Sequence, residues 1–167
     1  MIPTDQHNRP DTRDSIASKN DQTLYYIVVL AEGDWTYLEH TGLNYRYFES
    51  PQSWTDALCS CQASAPPGYT GNLASVHDTT TNTFVANLAR INLAWLGGFQ
   101  NSSRAGEPWR WSDGSVWDYE NWRSGEPNNA NGGEDYLETN YFKQKGKWND
   151  FAVGGSDIVG YVCQYKG

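Results

Sequence analysis

Glu126, Asn128, Glu134, Asn149 and Asp150 put five oxygen-bearing side chains into one short stretch of the chain. Glu126 and Asn128 flank Pro127, Glu134 stands beside Asp135, and Trp148 leads into Asn149-Asp150. Calcium is a hard cation that takes about six to eight oxygen ligands from carboxylates, amide carbonyls and water. This set offers three carboxylates and two amides, and it contains no histidine or cysteine. Zinc and copper favour nitrogen and sulfur, so the inventory points to calcium and away from them.

Glu126-Pro127-Asn128, then Glu134, then Trp148-Asn149-Asp150 resemble the sugar-binding calcium site of C-type lectins of the mannose-selective kind. The resemblance runs along residues 35–166 through several landmarks. Trp54, Cys61 and Leu73-Ala74-Ser75-Val76 resemble the family's two-helix region. Ala94-Trp95-Leu96-Gly97-Gly98 resembles its core strand, and Trp109-Arg110-Trp111-Ser112-Asp113-Gly114 its Trp-x-Trp-x-Asp-Gly turn, followed by Asn121-Trp122. Acidic residues scattered over a surface loop are common; here their order, spacing and framework agree.

The resemblance implies an α+β fold of the C-type lectin type, with two helices flanking small antiparallel sheets and a long calcium-binding loop. It implies that Glu126, Asn128, Glu134, Asn149 and Asp150 bind both calcium and sugar. Glu126 and Asn128 would serve one sugar hydroxyl and Glu134 and Asn149 its neighbour, with Asp150 completing the calcium shell and Pro127 in cis. Glu-Pro-Asn implies mannose-type sugars, including fucose, glucose and N-acetylglucosamine; the galactose-type motif is Gln-Pro-Asp. Asn101, Glu107, Asn129 and Asp135, sharing Glu134, lie where the family's auxiliary calcium site draws its ligands. Asn101-Ser102-Ser103 is also a glycosylation sequon, and a glycan there would conflict with metal ligation. Alanine at Asn149 or Asp150 is expected to abolish calcium-dependent binding and leave the fold largely intact.

The elements that must position these residues are legible in outline. At 167 residues the chain fits one domain with a short extension. Residues 1–23 read as a polar, disordered N-terminal arm and residues 24–167 as the carbohydrate-recognition domain. The run 24–30 reads as a strand and is too short to span a bilayer. Aromatic residues recur from Trp35 to Glu49 around Thr41-Gly42, which predicts a β-hairpin. Ser53 with Asp56 predicts a capped helix. Asp78 or Thr79 opens a second helix, with Phe84, Leu88 and Ile91 expected inside. Tyr136–Phe142 and Lys147–Asp150 form a hairpin that brings Glu134 towards Asn149-Asp150, and Ile158–Tyr165 closes the sheet. Trp109 and Trp111 share one strand face and are read as core packing that holds the long loop, not as a sugar platform.

Three cysteines leave one over if a bridge forms. Trp54, Ala57, Leu58 and Cys61 follow the spacing of one buried helix face, and Cys59 lies well round from it. Cys61 and Cys163 are therefore the expected pair, which the family also joins. Its second disulfide has no counterpart, because the matching positions hold Tyr136 and Val153; an aromatic–β-branched contact between those two would substitute. Gly154-Gly155 adds an extra loop near the site.

A formal charge of −8 argues against nucleic acid and anionic membranes as partners. The polar first twenty residues show no signal peptide, yet the family and its disulfide imply a secreted protein. Its partners would be mannose-type glycans on cells or glycoproteins. One shallow site binds weakly, so several copies would act together, with Cys59 or the N-terminal arm available to form a homo-oligomer. The rival within the same fold is a domain that binds a protein, a lipid or ice. A glycosidase is a poor reading, since carboxylates held ionised by calcium cannot act as a general acid. His7, His40 and His77 match no catalytic or metal arrangement, and no phosphate-binding glycine motif is present. No enzyme is expected.

Overall fold

A computed structural model describes residues 34–101 and 107–167. The expected strand at 24–30 and the arm at 1–23 lie outside the described residues. The hairpin around Thr41-Gly42 forms from β1 (Thr36–Leu38) and β2 (Leu43–Phe48). Next come α1 (Trp54–Ser64), β3 (Gly71–Leu73), α2 (Thr79–Leu88), β4 (Ala94–Phe99) and β5 (Arg110–Trp111). After a long loop follow β6 (Tyr136–Thr139), β7 (Trp148–Phe151) and β8 (Gly160–Lys166).

The architecture is α+β, but its strands join one continuous sheet in the order β1-β2-β8-β4-β6-β7, with β3 on β8 and β5 on β4. Most pairs are antiparallel, and β4 runs parallel to β8. That parallel pair fuses the separate small sheets expected from the sequence. It follows from β8 returning to the middle of the molecule, between β2 and β4.

Each helix starts where a side chain can take an unsatisfied N–H. Ser53 Oγ accepts from Asp56 N at 3.2 Å and donates to the Asp56 carboxylate at 2.6 Å. Trp54, Ala57 and Cys61 form the inner face of α1. Cys61 and Cys163 are bonded and fully buried, while Cys59 is exposed. A Cβ on Gly71 would meet the Cys61 carbonyl at 2.0 Å, so only glycine allows β3 this close to α1.

Asp78 Oδ1 caps α2 by accepting from Thr81 N at 2.7 Å. The inner stripe of α2 differs from expectation. Thr81, Asn82, Val85 and Ala86 are buried, Phe84 and Leu88 are half-buried at the flanks, and Ile91 is exposed beyond the helix end. Periodicity read from bulky apolar residues missed this stripe because a small or polar residue can face inward when its bonds are made there. Asn82 meets that condition by accepting from Trp148 Nε1 at 2.9 Å and donating to the Gly146 carbonyl at 3.1 Å.

The hairpin that follows the long loop is shorter than expected, since β6 stops at Thr139. Asn140 turns into the left-handed region at φ 65°. Its buried side chain ties the turn to the Ala86 and Asn92 carbonyls and to Gly146 N.

Trp109 and Trp111 both pack in the core, as their alternation predicts. With Trp117, Trp122 and Trp148 they form one aromatic cluster, in which the Trp111 and Trp117 ring centroids lie 4.5 Å apart and those of Trp122 and Trp148 5.7 Å. The loop carrying Trp122 is also bonded to β7 through the backbone. Arg123 N donates to the Trp148 carbonyl at 2.9 Å, and Trp148 N donates to the Asn121 carbonyl at 3.1 Å. Ring packing and backbone bonds together bring residue 126 beside residues 149–150.

Tyr136 and Val153, the pair expected to stand in for a disulfide, both meet the first residue of α1. Tyr136 stands opposite Phe151 in register and packs its ring on Trp54, centroid to centroid 4.8 Å. Val153 is 41% exposed and offers its carbonyl to Trp54 N at 3.1 Å. The extra loop folds back onto Phe151, where a Cβ on Gly155 would strike the ring.

Candidate functional site

The long loop and the β6–β7 hairpin meet at Asp150. Its fully buried carboxylate accepts Asn128 N at 3.0 Å and Asn129 N at 2.6 Å. Glu126 enters from a turn in which its N–H donates to the Arg123 carbonyl at 3.0 Å, and the Glu126–Pro127 bond is cis as expected. Beyond a short 3-10 turn, Ala130–Gly132, the chain closes on itself. Glu134 Oε2 accepts Ala130 N at 2.6 Å, and Asn129 Oδ1 accepts Glu134 N at 3.1 Å. Asn149 Nδ2 donates across the hairpin to Glu138 Oε1 at 2.8 Å.

All five residues singled out in the sequence thus lie on the loop 126–134 or on β7, linked through Asp150. Glu126 and Glu134 are half-buried, Asn128 is exposed, and Asn149 and Asp150 are buried. Burial and the nearby Asp150 and Glu134 charges raise the Glu126 carboxyl above its ordinary value. Burial also raises Glu134, opposed by the Ala130 N–H and reinforced by Asp150. Glu138 is pushed up to about 7, chiefly by burial and against the pull of the Asn149 N–H. A cluster in which burial and like charges act together is one that a cation would relieve.

The oxygens themselves test whether calcium fits. Glu126 Oε2 and Asn149 Oδ1 are buried without a hydrogen-bond partner. An orphaned buried oxygen costs about 1–3 kcal/mol, and each of these belongs to a residue of the all-oxygen set. Hard oxygen donors left unpaired beside raised carboxylates fit calcium. Among the described residues no three or more His, Cys, Asp or Glu side chains are gathered as a metal-holding group, so Glu126, Glu134 and Asp150 do not make a carboxylate cage by themselves.

Of the proposed auxiliary ligands, Asn129, Glu134 and Asp135 share one closed segment, held to the end of β4 by Gln100 N donating to the Asp135 carbonyl at 2.9 Å. Asn101 is exposed two residues past β4, and Glu107 is ion-paired with Arg110. His40 and His77 pair with Asp78 and Asp118, and His7 lies outside the described residues.

Glu138 is the residue that sequence reasoning missed. Its signal was a carboxylate inside a short strand, Tyr136-Leu137-Glu138-Thr139, at a position facing the same side as Asn149.

A family model for the lectin C-type domain matches residues 50–165. A lectin from Pleurodeles waltl is 35% identical over 131 residues, covering 75% of this chain and 72% of that protein. The structure of the EPNH mutant of CEL-I superposes with a TM-score of 0.69 at 27% identity, covering 79% of this chain and 94% of that one. Herring type II antifreeze protein gives a TM-score of 0.64, also at 27% identity, covering 78% and 94%. The chain belongs to the C-type lectin domain family, a carbohydrate-binding and non-enzymatic class.

Proposed function

We propose that the protein is a calcium-dependent lectin for mannose-type sugars, which it holds through two neighbouring hydroxyls at Glu126, Asn128, Glu134, Asn149 and Asp150. C-type lectin domains generally bind calcium, and the observation that carries the reading is the pair of buried, unpartnered oxygens on Glu126 and Asn149. When bound, calcium would supply a Lewis-acidic centre for the two hydroxyl oxygens. The chain's own part is hydrogen bonding. The carboxylates of Glu126 and Glu134 accept hydroxyl protons, and the amides of Asn128 and Asn149 donate to hydroxyl oxygens. Asn149 keeps one N–H for this after giving the other to Glu138. Asp150 fixes the loop that carries Glu126 and Asn128.

We assign the binding module to residues 24–167 and the arm to residues 1–23, and we take the protein to be secreted. The buried disulfide suits an oxidising compartment, and among the described residues no helix is long and apolar enough to cross a membrane. Useful avidity calls for several copies. The shared closure of Asn129, Glu134 and Asp135 supports a second calcium there, with Asn101 and Glu107 as its remaining ligands. The second functional reading keeps the fold and replaces the sugar with a protein, a lipid or ice, and the likeness to the herring antifreeze protein favours it.

Passage over a mannose column in calcium, followed by elution with EDTA or with free galactose, tests the proposal. Retention released by EDTA and not by galactose is the expected result. No retention, in a protein that takes up calcium by calorimetry, would move the function to a non-sugar ligand.

A further inference from the structure

We infer that Glu138 is a positioning residue for this site: its carboxylate turns the Asn149 amide so that Oδ1, and not Nδ2, is presented as a calcium ligand. The inference rests on the calcium reading given above. An asparagine amide has two ends of nearly equal size, and its hydrogen bonds decide which end faces which way. Asn149 Nδ2 donates to Glu138 Oε1 at 2.8 Å, so the end of Asn149 that meets Glu138 is the nitrogen.

Register enforces the meeting. Glu138 and Asn149 are direct cross-strand partners in the β6–β7 ladder, flanked by the pairs Leu137–Asp150 and Thr139–Trp148. Side chains alternate along a strand, so Glu138 and Asn149 share one face of the hairpin while Asp150 leaves from the other. Glu138 is 1% exposed and Asn149 3%, and their contact is 2.8 Å. With the nitrogen held, Asn149 Oδ1 is left buried and unpartnered.

Two points argue against a purely structural bond. Glu138 Oε2 is itself buried without a partner, so the carboxylate is poorly placed as a stabiliser of the fold. An apolar residue of similar volume would serve packing better, because replacing buried charge by hydrophobic groups is often neutral or stabilising. What a carboxylate gives that leucine cannot is a fixed amide orientation and a more basic carbonyl oxygen on Asn149. Outer-shell partners of metal ligands act in this way.

The test compares Glu138→Gln and Glu138→Leu with the wild type in calorimetric titrations with calcium chloride alone. It adds the Asn149 side-chain amide resonances of the metal-free proteins and their unfolding in EDTA. Glu138→Leu is expected to bind calcium about 10- to 100-fold more weakly. It should lose the separated Asn149 amide protons and unfold in EDTA no more easily than the wild type. Glu138→Gln keeps an acceptor oxygen, so it should retain the separated amide protons and bind calcium nearer to wild type than to Glu138→Leu. Calcium affinity of Glu138→Leu within about twofold of wild type would overturn the inference. So would a loss that Glu138→Gln shares in full. Absence of calcium uptake by the wild type would instead overturn the calcium reading and, with it, the role of Glu138. A preserved Asn149 amide signature would then place that failure in the metal and not in the contact.

Discussion

Asp150→Ala in metal-free protein separates two jobs that the sequence merged into one. Read as a calcium ligand, Asp150 should be dispensable to the fold once calcium is removed. The structure gives it a second task, because its carboxylate accepts the N–H groups of Asn128 and Asn129 at 3.0 and 2.6 Å. A hydrogen bond to a charged group contributes about 1.5–3 kcal/mol, so two contribute about 3–6 kcal/mol at full value. Asn128 is exposed, so water recovers part of the loss at its N–H, and the expected cost is about 2–4 kcal/mol. That is a sizeable share of a typical stability of about 5–15 kcal/mol. Asp150→Asn keeps one acceptor oxygen but turns an NH2 group on the second donor, and it should fall between alanine and wild type. The assay is urea unfolding in EDTA at neutral pH, followed by tryptophan fluorescence from the cluster around Trp148. A metal-free Asp150→Ala protein within about 0.5 kcal/mol of wild type would refute the reasoning and return Asp150 to the metal alone.

Exchanging the hydrogen-bonding ends of the motif with Glu126→Gln plus Asn128→Asp should move sugar preference towards galactose, read by competition on the mannose column; unchanged preference would remove these two residues from the hydroxyl contacts. In EDTA the protein should be more stable at pH 5 than at pH 8, as thermal melts would show. Glu138 has its folded value raised from 4.5 to about 7, so the folded state holds more protons across that window and stability falls as pH rises through it, by up to about 3 kcal/mol from this group. With calcium present the trend should reverse, because acid protonates the ligands and releases the metal. Replacing Cys61 and Cys163 by serine opens a bridge spanning 102 residues and should lower stability by about 4–5 kcal/mol on the chain-entropy model, read by urea unfolding. Trp54→Leu should raise amide hydrogen exchange in residues 136–151, where Trp54→Phe, which keeps a ring, should raise it less.

What the sequence made legible follows a physical division. Ser53 with Asp56, the helix opening at Asp78 or Thr79 and the Cys61–Cys163 bridge each depend on a few nearby residue types or on one strong periodic face, and the cis Glu126–Pro127 bond was legible through the family resemblance. The parallel β4–β8 pair depends on where the last strand inserts, which no local pattern encodes. The inner stripe of α2 was hidden because Asn82 is buried through bonds to Trp148 and Gly146, which are remote in sequence. Glu138 was hidden for the same reason, since only register with Asn149 gives its carboxylate a purpose. The site was readable as an inventory of oxygens; its supporting contacts became readable only with the fold.

The missing second disulfide shows how support of this kind can change hands. A disulfide would tie position 136 to position 153 directly. Here both positions converge on the first residue of α1: the Tyr136 ring lies on Trp54, and the Val153 carbonyl takes the Trp54 N–H. Trp54 is in turn fixed from inside, since its Nε1 donates to the Leu96 carbonyl at 2.7 Å in the buried core strand. The hairpin bearing Asn149 and Asp150 is therefore anchored to a helix and the central sheet, not stapled across its own base. Such an anchor is made of packing and one backbone bond, so it loosens when core packing does. The geometry of the proposed calcium site is thus coupled to the helix that also carries Cys61, and a change in α1 packing should be felt at Asp150 before the sheet itself opens.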